Sequence, residues 1–287
     1  MSAPVVEPRV GQGGLPGLEG KNLLVTGGSS GIGQAIAVRF ARHGANVAIN
    51  YRTSPDEAAE TEAQVHACMD SVRQQGVRDV LVKADVSSEE DVVRMIDDAS
   101  KGLGGLDILV NNAGIQISRP SEQLASADFD RVLGVNLRGA FLCAREAIKR
   151  FLTDRIPGAV INVSSVHQAI PKPNYLGYSV SKGGMQNLTS TLALEYAGRR
   201  IRVNAVAPGV TDTRMLDPAP RDRGWLADVA TRTPLGRLGQ PDDVATLVLA
   251  LHDLAWVTGQ IVECDGGLAR LSPIDPTAGR PHPPMLA

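Results

Sequence analysis

Tyr178 and Lys182 are the two residues of this chain whose types and spacing most directly suggest chemistry, and Ser165 precedes them. On a helix, residues at i and i+4 share one face, so the phenol and the ammonium would lie side by side. A phenol with an ordinary pKa near ~10 exchanges protons poorly at neutral pH. A neighbouring ammonium favours the phenolate and lowers that pKa, while the serine hydroxyl can hold a substrate oxygen. The trio predicts interconversion of an alcohol and a carbonyl, provided that the chain also binds a hydride carrier.

A glycine-rich turn supplies candidates for binding that carrier. It reads Thr-Gly-Gly-Ser-Ser-Gly-Ile-Gly over residues 26–33 and follows a short apolar run that predicts a strand. Glycines let the backbone turn tightly beside a pyrophosphate, and the N-terminus of the next helix offers free N–H groups. The spacing G-x-x-x-G-x-G differs from the commonest dinucleotide fingerprint, G-x-G-x-x-G, so a plain turn is the alternative. The cofactor-binding candidates in this turn are Gly27, Ser29, Ser30, Gly31, Ile32 and Gly33.

The end of the second predicted strand bears on which dinucleotide would bind. Binders of the unphosphorylated cofactor usually carry Asp or Glu there, on the ribose hydroxyls. This chain has Asn50, Tyr51, Arg52 and Thr53 instead. The Arg52 guanidinium can grip a 2′-phosphate through its planar fork, whereas a solvated surface charge is the alternative. The segment favours NADP and still admits NAD, with Tyr51 and Arg52 as candidate contacts.

Two further strand ends carry residues that suit a cofactor. Asp85, followed by Val86, comes after the third predicted strand, and its carboxylate can accept a hydrogen bond from an adenine amino group. A loop-stabilising, helix-capping role for Asp85 fits the sequence equally well. After the fourth strand, Asn112, Ala113 and Gly114 permit a close approach of the backbone and tolerate turn conformations.

Strands and helices alternate along the chain, and this alternation must position the candidates. The predicted strands cover residues 22–25, 45–50, 79–84, 106–110, 159–163, 201–205 and 260–264, and the predicted helices cover 34–43, 57–75, 87–100, 129–153, 178–197 and 242–251. Ser87 and Glu90 form a predicted capping box at the start of the third helix. Short apolar strands between helices predict an α/β fold, a single-domain Rossmann-like doubly wound parallel sheet of about seven strands with helices on both faces. Its ligands would bind beyond the carboxyl ends of the strands.

The two ends of the chain differ in composition from its centre. Residues 1–20 and 270–287 are rich in proline or glycine and predict a flexible leader and a Pro-rich tail. The dinucleotide-binding catalytic domain would then span residues 21–269. Within it, residues 211–237 combine prolines with charges and predict a substrate lid that excludes water, with a plain surface loop as the alternative.

Composition excludes several other classes of protein. The net charge of −2 and an aromatic content of 3% argue against a nucleic-acid partner. We expect no membrane association, because no apolar stretch approaches the ~18 residues of a span. The first residues lack the pattern of a signal peptide, and three scattered cysteines favour neither disulfides nor a metal site. A cytoplasmic protein without a metal is the expectation.

Taken in order, these motifs resemble those of the short-chain dehydrogenase/reductase family. The matching residues are TGGSSGIG at 26–33, DV at 85–86, NNAG at 111–114, Asn136, Ser165, YSVSK at 178–182 and PG at 208–209. The resemblance covers about residues 21–268. Within the family, the segments at 160–167, 178–185 and 192–209 are most similar to bacterial glucose 1-dehydrogenases, whose members often accept both cofactors.

The resemblance implies a role for each catalytic candidate. Tyr178 would be the general acid in reduction and the general base in oxidation. Lys182 would hold the nicotinamide ribose and lower the tyrosine pKa, and Ser165 would position the substrate oxygen. Asn136 would anchor a water in a proton relay, although an amide that satisfies buried backbone is the alternative for that residue.

The resemblance also implies cofactor contacts and an assembly. Thr213, which follows Pro208 and Gly209, would contact the nicotinamide carboxamide. A homotetramer follows from the resemblance alone, with helices around 136–153 and 183–198 as the interface.

The sequence departs from the glucose dehydrogenases around the substrate. Where those enzymes tend to carry acidic residues, this chain has Gln116 and Gln168, and Lys172 replaces a tryptophan that is common there. Amides bind sugar hydroxyls more weakly than carboxylates do, and a lysine favours an anion. The substrate is therefore open among sugars, polyols, sugar acids and other ketones. Gln116, Gln168, His167 and Tyr175 are the candidate substrate contacts.

Two other functions remain open at this point. One is a carbonyl reductase that acts on a carrier-bound or hydrophobic ketone. The other is a cofactor-binding sensor that has lost catalysis, which the intact Ser165, Tyr178 and Lys182 argue against.

Overall fold

A single parallel sheet forms the centre of the protein. The computed structural model describes residues 18–71, 78–216 and 223–270. The strands are β1 (Asn22–Val25), β2 (Asn46–Tyr51), β3 (Asp79–Lys83), β4 (Ile108–Asn111), β5 (Gly158–Val163), β6 (Ile201–Pro208) and β7 (Ile261–Cys264). They pair in the order β3-β2-β1-β4-β5-β6-β7, and every pairing is parallel. The predicted seven-stranded, doubly wound sheet is confirmed.

Helices cover both faces of this sheet. They are α1 (Gly31–Arg42), α2 (Pro55–Ser71), α3 (Glu89–Leu103), α4 (Ser126–Leu133), α5 (Ala140–Asp154), α6 (Leu176–Tyr196), α7 (Arg223–Arg232) and α8 (Pro241–Asp253). On one face, Phe40 of α1 and Val248 of α8 share an apolar core with the strands. On the other face, Met95 of α3 and Phe151 of α5 belong to a second core. These apolar faces bury the continuously hydrophobic strands on both sides, as a parallel sheet requires.

The strand order creates a crevice at the carboxyl edge of the sheet. The chain moves outward from β1 to β3, then crosses back so that β4 pairs with the other side of β1. The loops after β1 and β4 therefore diverge, and such a switch point is where ligands bind in open α/β sheets.

One predicted cap is wrong. The third helix begins one residue later than the Ser87–Glu90 capping box requires, and Ser88 is its N-cap, accepting a hydrogen bond from the Asp91 N–H at 3.3 Å. The reason is Asp85, whose carboxylate accepts from both the Ser87 N–H at 2.9 Å and the Ser87 hydroxyl at 2.6 Å. The Ser87 side chain is thus engaged before the helix starts.

Other predicted bounds shift by a few residues or contain an unpredicted feature. The predicted helix 129–153 is α4 and α5 joined by one π-helical segment, Gly134–Gly139. The first helix begins at Gly31, inside the glycine turn. The predicted continuation of α2 to residue 75, most of the leader and nearly all of the tail lie outside the described residues.

Within the described ranges, no helix is long and apolar enough to cross a bilayer. The Cys143 thiol is buried in the second core, which raises its pKa to about 12.

Candidate active site

A cavity of about 530 Å³ lies at the carboxyl ends of β1, β2 and β4. Most of the residues predicted to bind the cofactor line it. These are Gly27, Ser29, Ser30, Gly31, Ile32, Tyr51, Arg52, Asp85, Val86, Asn112, Ala113, Gly114 and Thr213. The fold therefore brings together residues that five separate segments of the sequence supply.

The glycine turn allows its backbone to approach a bound phosphate closely, because glycines stand where a side chain would be strained or would clash. Gly27 and Gly31 have φ angles of 61° and 57°, which glycine adopts without strain. A Cβ on Gly33 would lie 2.3 Å from the Gly27 carbonyl oxygen and 2.5 Å from Asn112 Nδ2. Helix α1 begins at Gly31, so its N-terminal N–H groups face the turn. Turn and helix together provide the cradle that a pyrophosphate needs.

Thr26 and Asn112 hold this turn against the loop after β4. The Thr26 hydroxyl oxygen accepts hydrogen bonds from the N–H groups of Asn112 at 3.0 Å and Ala113 at 3.1 Å. In return, Asn112 Nδ2 donates to the carbonyls of Thr26 and Gly27, each at 3.0 Å. Asn112 was predicted as a cofactor contact, and the structure shows that its amide also fixes the cradle.

Arg52 and Asp85 lie together at the rim of the large cavity. Arg52 Nη1 and Asp85 Oδ2 are 3.4 Å apart, and both side chains are partly exposed. Desolvation raises the pKa of Asp85, but hydrogen bonds from Ser87 and the Arg52 charge outweigh it, so the net shift is downward. Asp85 stabilises its own loop, as one of the two interpretations expected, and it also lines the cavity, whereas its contact with an adenine stays a prediction.

A second, smaller cavity of about 120 Å³ contains the catalytic candidates. Ser165 follows β5, while Tyr178 and Lys182 lie in the first turns of α6. Their exposed fractions are 6%, 8% and 3%. Ser165 Oγ accepts from the His167 N–H at 3.1 Å, and the Lys182 ammonium donates to the Val163 carbonyl at 2.7 Å. The backbone thus fixes the side chains of Ser165 and Lys182, and a hydrogen bond joins Ser165 to the Tyr178 phenol.

Burial, and not the lysine, dominates the ionisation of Tyr178. Desolvation raises the pKa of the phenol, and a hydrogen bond from Ser165 lowers it by a smaller amount. The sequence predicted a pKa lowered by Lys182. That prediction is wrong for the protein alone, because the ammonium lies 5.6 Å from the ring centroid and is directed to Val163. Desolvation also lowers the pKa of Lys182, to about 8.

Asn136 lies in the π-helical segment and is fully buried. Its Oδ1 accepts from the Ile115 N–H at 2.8 Å, and its Nδ2 donates to the Ile115 carbonyl at 2.9 Å. Nδ2 also donates to Ser181 Oγ at 3.1 Å. The side chain therefore pins the loop after β4 to α6, which is the alternative that the sequence left open, and the water relay remains a prediction.

The four predicted substrate contacts separate into two groups. Gln116 and His167 line the small cavity. Gln168 and Tyr175 do not belong to the lining that the described residues form. The Ser164 hydroxyl donates to Gln168 Oε1 at 2.7 Å, and the Tyr175 ring lies under the Lys172 ammonium, 3.7 Å from Nζ to the centroid.

His167 is held in one tautomer. Its Nδ1 lies 3.0 Å from the Ile170 carbonyl, which can only accept, so Nδ1 carries the proton and Nε2 remains an acceptor. Desolvation lowers the pKa of His167 further than its hydrogen bond to Ile170 raises it. The ring is therefore neutral at physiological pH.

The segment after β6 closes the small cavity. Pro208, Gly209 and Thr213 line it as predicted. Gln116 Nε2 donates to the Met215 carbonyl, so this segment is tied to the loop after β4. Of the predicted lid, residues 217–222 lie outside the described residues.

Several lining residues were absent from the predicted site. They include Lys172, Val210, Thr211, Met215 and Leu216 in the small cavity and Arg214 and Met215 in the large one. The residues of the segment after β6 are neighbours of Thr213 in the sequence, and this proximity could have indicated them. Lys172 was noted as a departure from the glucose dehydrogenases but not as part of the site.

Known proteins similar to this chain share its length and fold. A family model described as Enoyl-(Acyl carrier protein) reductase matches residues 27–269. A Gluconobacter oxydans protein named Glucose 1-dehydrogenase is 44% identical over 257 residues, covering 87% of this chain and 92% of that protein. An Eggerthella lenta protein named 3beta-hydroxysteroid dehydrogenase 1 is 42% identical over 253 residues, covering 88% and 94%.

Solved structures are similar to this chain over a comparable share of its length. A dehydrogenase/reductase from Sinorhizobium meliloti 1021 is 38% identical with a TM-score of 0.77, and the match covers 88% of this chain and 96% of that one. A structure from Agrobacterium tumefaciens with bound NADP is 32% identical with a TM-score of 0.78, covering 88% and 98%.

Proposed function

The chain belongs to the short-chain dehydrogenase/reductase family and is an NAD(P)-dependent oxidoreductase of alcohol and carbonyl groups, and on that premise we propose that Tyr178 is its acid–base catalyst. The predicted resemblance, including that to bacterial glucose 1-dehydrogenases, is confirmed. The observation that supports the catalytic role is the buried cluster of Ser165, Tyr178 and Lys182 around one small cavity beside the dinucleotide cradle. A sensor without catalysis would have no need of this cluster.

The cluster divides the reaction into positioning and proton transfer. In oxidation, the Tyr178 phenolate takes the proton of the substrate hydroxyl. A nicotinamide held beside the cluster would supply the redox chemistry by accepting the hydride from the carbon that bears this hydroxyl. In reduction, the phenol returns the proton to the carbonyl oxygen. Ser165 holds that oxygen, and Lys182, still mainly protonated at neutral pH, holds the cofactor ribose. Asn136 positions α6 and the loop after β4 around them.

We propose that NADP is preferred and that NAD is also used. Arg52 lines the cradle at the end of β2, where no carboxylate follows the strand directly. Asp85 lies beside Arg52 and offsets part of its charge, which is consistent with a preference and not with strict selection. The NADP-bound Agrobacterium structure, at 32% identity, supports the same assignment.

The substrate is proposed to be a small polyol or sugar, or a closely related compound. The cavity beside Tyr178 is about 120 Å³, small against the ~300–1,000 Å³ of typical ligand sites. Polar groups from Gln116, Ser165 and His167 line it, and they suit hydroxyls better than a long apolar chain. A carrier-bound or hydrophobic ketone is therefore the second candidate, supported only by the names of the family model and of the Eggerthella relative.

A cytoplasmic homotetramer is the proposed assembly. Large apolar side chains are exposed on the two helices named from the sequence, Phe141 on α5 at 40% and Val180 and Leu194 on α6 at 44% and 84%. Exposed apolar surface of this kind marks interaction sites. Light scattering on the purified protein would give the mass of the assembly.

The experiment that tests the function is a turnover panel. Purified protein is mixed with NADP or NAD and with sugars, polyols, sugar acids and ketones, and the nicotinamide absorbance is followed. We expect oxidation of at least one small hydroxylated substrate, faster with NADP. Turnover of large hydrophobic ketones alone would favour the second candidate, and faster turnover with NAD would overturn the assignment of Arg52.

A further inference from the structure

The lining of the small cavity has an unbalanced charge. It includes two lysines, Lys172 and Lys182, and among its described residues no Asp or Glu. Lys182 is held inward by the Val163 carbonyl and belongs to the catalytic cluster. Lys172 is not part of that cluster, so its positive charge is available to a ligand that enters the cavity.

The Lys172 ammonium is held in place by an aromatic ring and has no ion-pair partner among the described residues. Its Nζ lies 3.7 Å from the centroid of the Tyr175 ring, a cation–π contact that fixes the side chain. Within the described ranges, no carboxylate forms an ion pair with it and no acceptor forms a hydrogen bond with it. Half-buried as it is, the ammonium has lost water, and desolvation lowers its pKa. A bound anion would offset that loss.

Lys172 also lines an outer groove, so that its side chain is shared between this groove and the small cavity. This outer groove, about 350 Å³, is lined by Arg119 and Lys172, with Glu122 as its one described carboxylate. Glu122 is exposed and forms no described ion pair with Lys172. A substrate that extends from Tyr178 toward the groove would therefore place its far end beside the ammonium.

We propose that Lys172 is a specificity-determining residue that selects substrates carrying a carboxylate, so that small hydroxy acids and their keto acids form the preferred substrate class. The inference rests on the proposed function, because it concerns the same cavity. A carboxylate fits better than a phosphate, since the lining of the small cavity offers only one ammonium besides the catalytic Lys182 and, among its described residues, no guanidinium. The neutral His167 supplies an acceptor for a further hydroxyl through Nε2.

The carboxylate takes no part in the reaction. The substrate hydroxyl gives its proton to Tyr178, the carbon that bears this hydroxyl would give its hydride to a bound nicotinamide, and the acid group keeps its charge throughout. Lys172 therefore acts on binding and not on the chemical step, so it should change KM more than kcat.

The test uses pairs of substrates that differ only in this charge. Gluconate is compared with sorbitol, and threonate with threitol, at saturating NADP in the wild type and in Lys172→Met. Methionine keeps the contact with Tyr175 and removes the ammonium. We expect the wild type to favour the acids in kcat/KM, and Lys172→Met to raise KM for the acids about 10- to 100-fold, the size of one charge-assisted hydrogen bond. KM for the alditols should stay within about threefold.

Salt and a control variant complete the test. Raising the ionic strength should weaken the binding of the acids and leave the binding of the alditols unchanged, because salt screens an ion pair at the cavity mouth. Lys101→Met, an exposed lysine paired with Asp97 on α3, should match the wild type on every substrate. Equal kcat/KM for both members of each pair, no turnover of any acid, or an equal loss on both members in Lys172→Met would overturn the inference. Turnover of the alditols in those cases would leave the proposed function intact, whereas no turnover of any hydroxylated compound would contradict both.

Discussion

On one side of Tyr178, the turn between β1 and α1 allows almost no variation, because a Cβ on Gly33 would lie 2.3 Å from a carbonyl oxygen. On the other side, residues 166–175 and 210–216 are loops and short turns whose side chains form the substrate cavity. The cofactor side is made largely of backbone, and the substrate side is made of side chains. Reaction type and substrate choice are therefore separable in this protein, because the first depends on backbone geometry and the second on side chains.

The largest effect should come from the cofactor side. Gly33→Ala forces a methyl group into the Gly27 carbonyl and the Asn112 amide. We expect it to destabilise the fold by roughly 1–3 kcal/mol, as overpacking does, and to abolish NADPH binding. Urea unfolding and NADPH fluorescence measure the two effects.

Gly134→Ala is the matched control for that prediction. A Cβ there has its nearest described neighbour at 4.0 Å, so stability should change by no more than about 1 kcal/mol. Equal behaviour of the two variants would show that the glycine turn is not the tight cradle described above.

A smaller effect is expected at the rim of the cradle. Arg52→Asp places a second carboxylate beside Asp85, which repels a 2′-phosphate. The ratio of kcat/KM with NADP to that with NAD should fall about 10- to 100-fold, the size of a lost charge-assisted contact. Arg94→Asp, an exposed arginine on α3, should leave the ratio unchanged.

The pH dependence of the oxidation and reduction rates tests the ionisation of Tyr178, which lies between the cofactor side and the substrate side. Oxidation needs the Tyr178 phenolate, and burial raises the pKa of that phenol. The oxidation rate should therefore rise into the alkaline range, while reduction, which needs the phenol, should fall there. Because the Ser165 hydrogen bond lowers this pKa, the residual oxidation of Ser165→Ala should rise at higher pH than in the wild type. A shift to lower pH would contradict the assigned hydrogen bond.

The smallest effect is expected at Gln168. Its side chain is engaged by Ser164 and lies outside the described lining of the cavity. Gln168→Leu should alter KM for acids and alditols alike by less than about threefold. A selective loss of one class would place Gln168 on the substrate side after all.

The sequence predicted the sheet and the tight glycine turn of the cofactor side well, while the cofactor contacts of individual residues remain predictions. The residue types of a segment directly limit its backbone geometry, through apolar runs in strands and through glycines in tight turns. The sheet and the turn that contains Gly27, Gly31 and Gly33 could therefore be predicted without a structure. The start of α3 was missed by one residue because Asp85 competes for Ser87, a contact that spacing does not reveal.

The substrate side was harder to predict because side-chain direction decides it. Gln168 and His167 are neighbours in one short turn, yet only His167 lines the cavity. The partner of Lys182 was also hidden from the sequence, since Val163 lies on a different element and acts through its carbonyl. That contact explains why burial outweighs the lysine in the pKa of Tyr178.

The most direct test of the account compares Tyr178→Phe with Tyr196→Phe. Both tyrosines lie on α6, but Tyr196 lines neither cavity in the described structure. NADPH binding and kcat are measured in both variants. We expect Tyr178→Phe to keep its NADPH affinity and to lose about 10²- to 10⁴-fold in kcat, while Tyr196→Phe keeps both. Wild-type turnover in Tyr178→Phe would contradict this expectation.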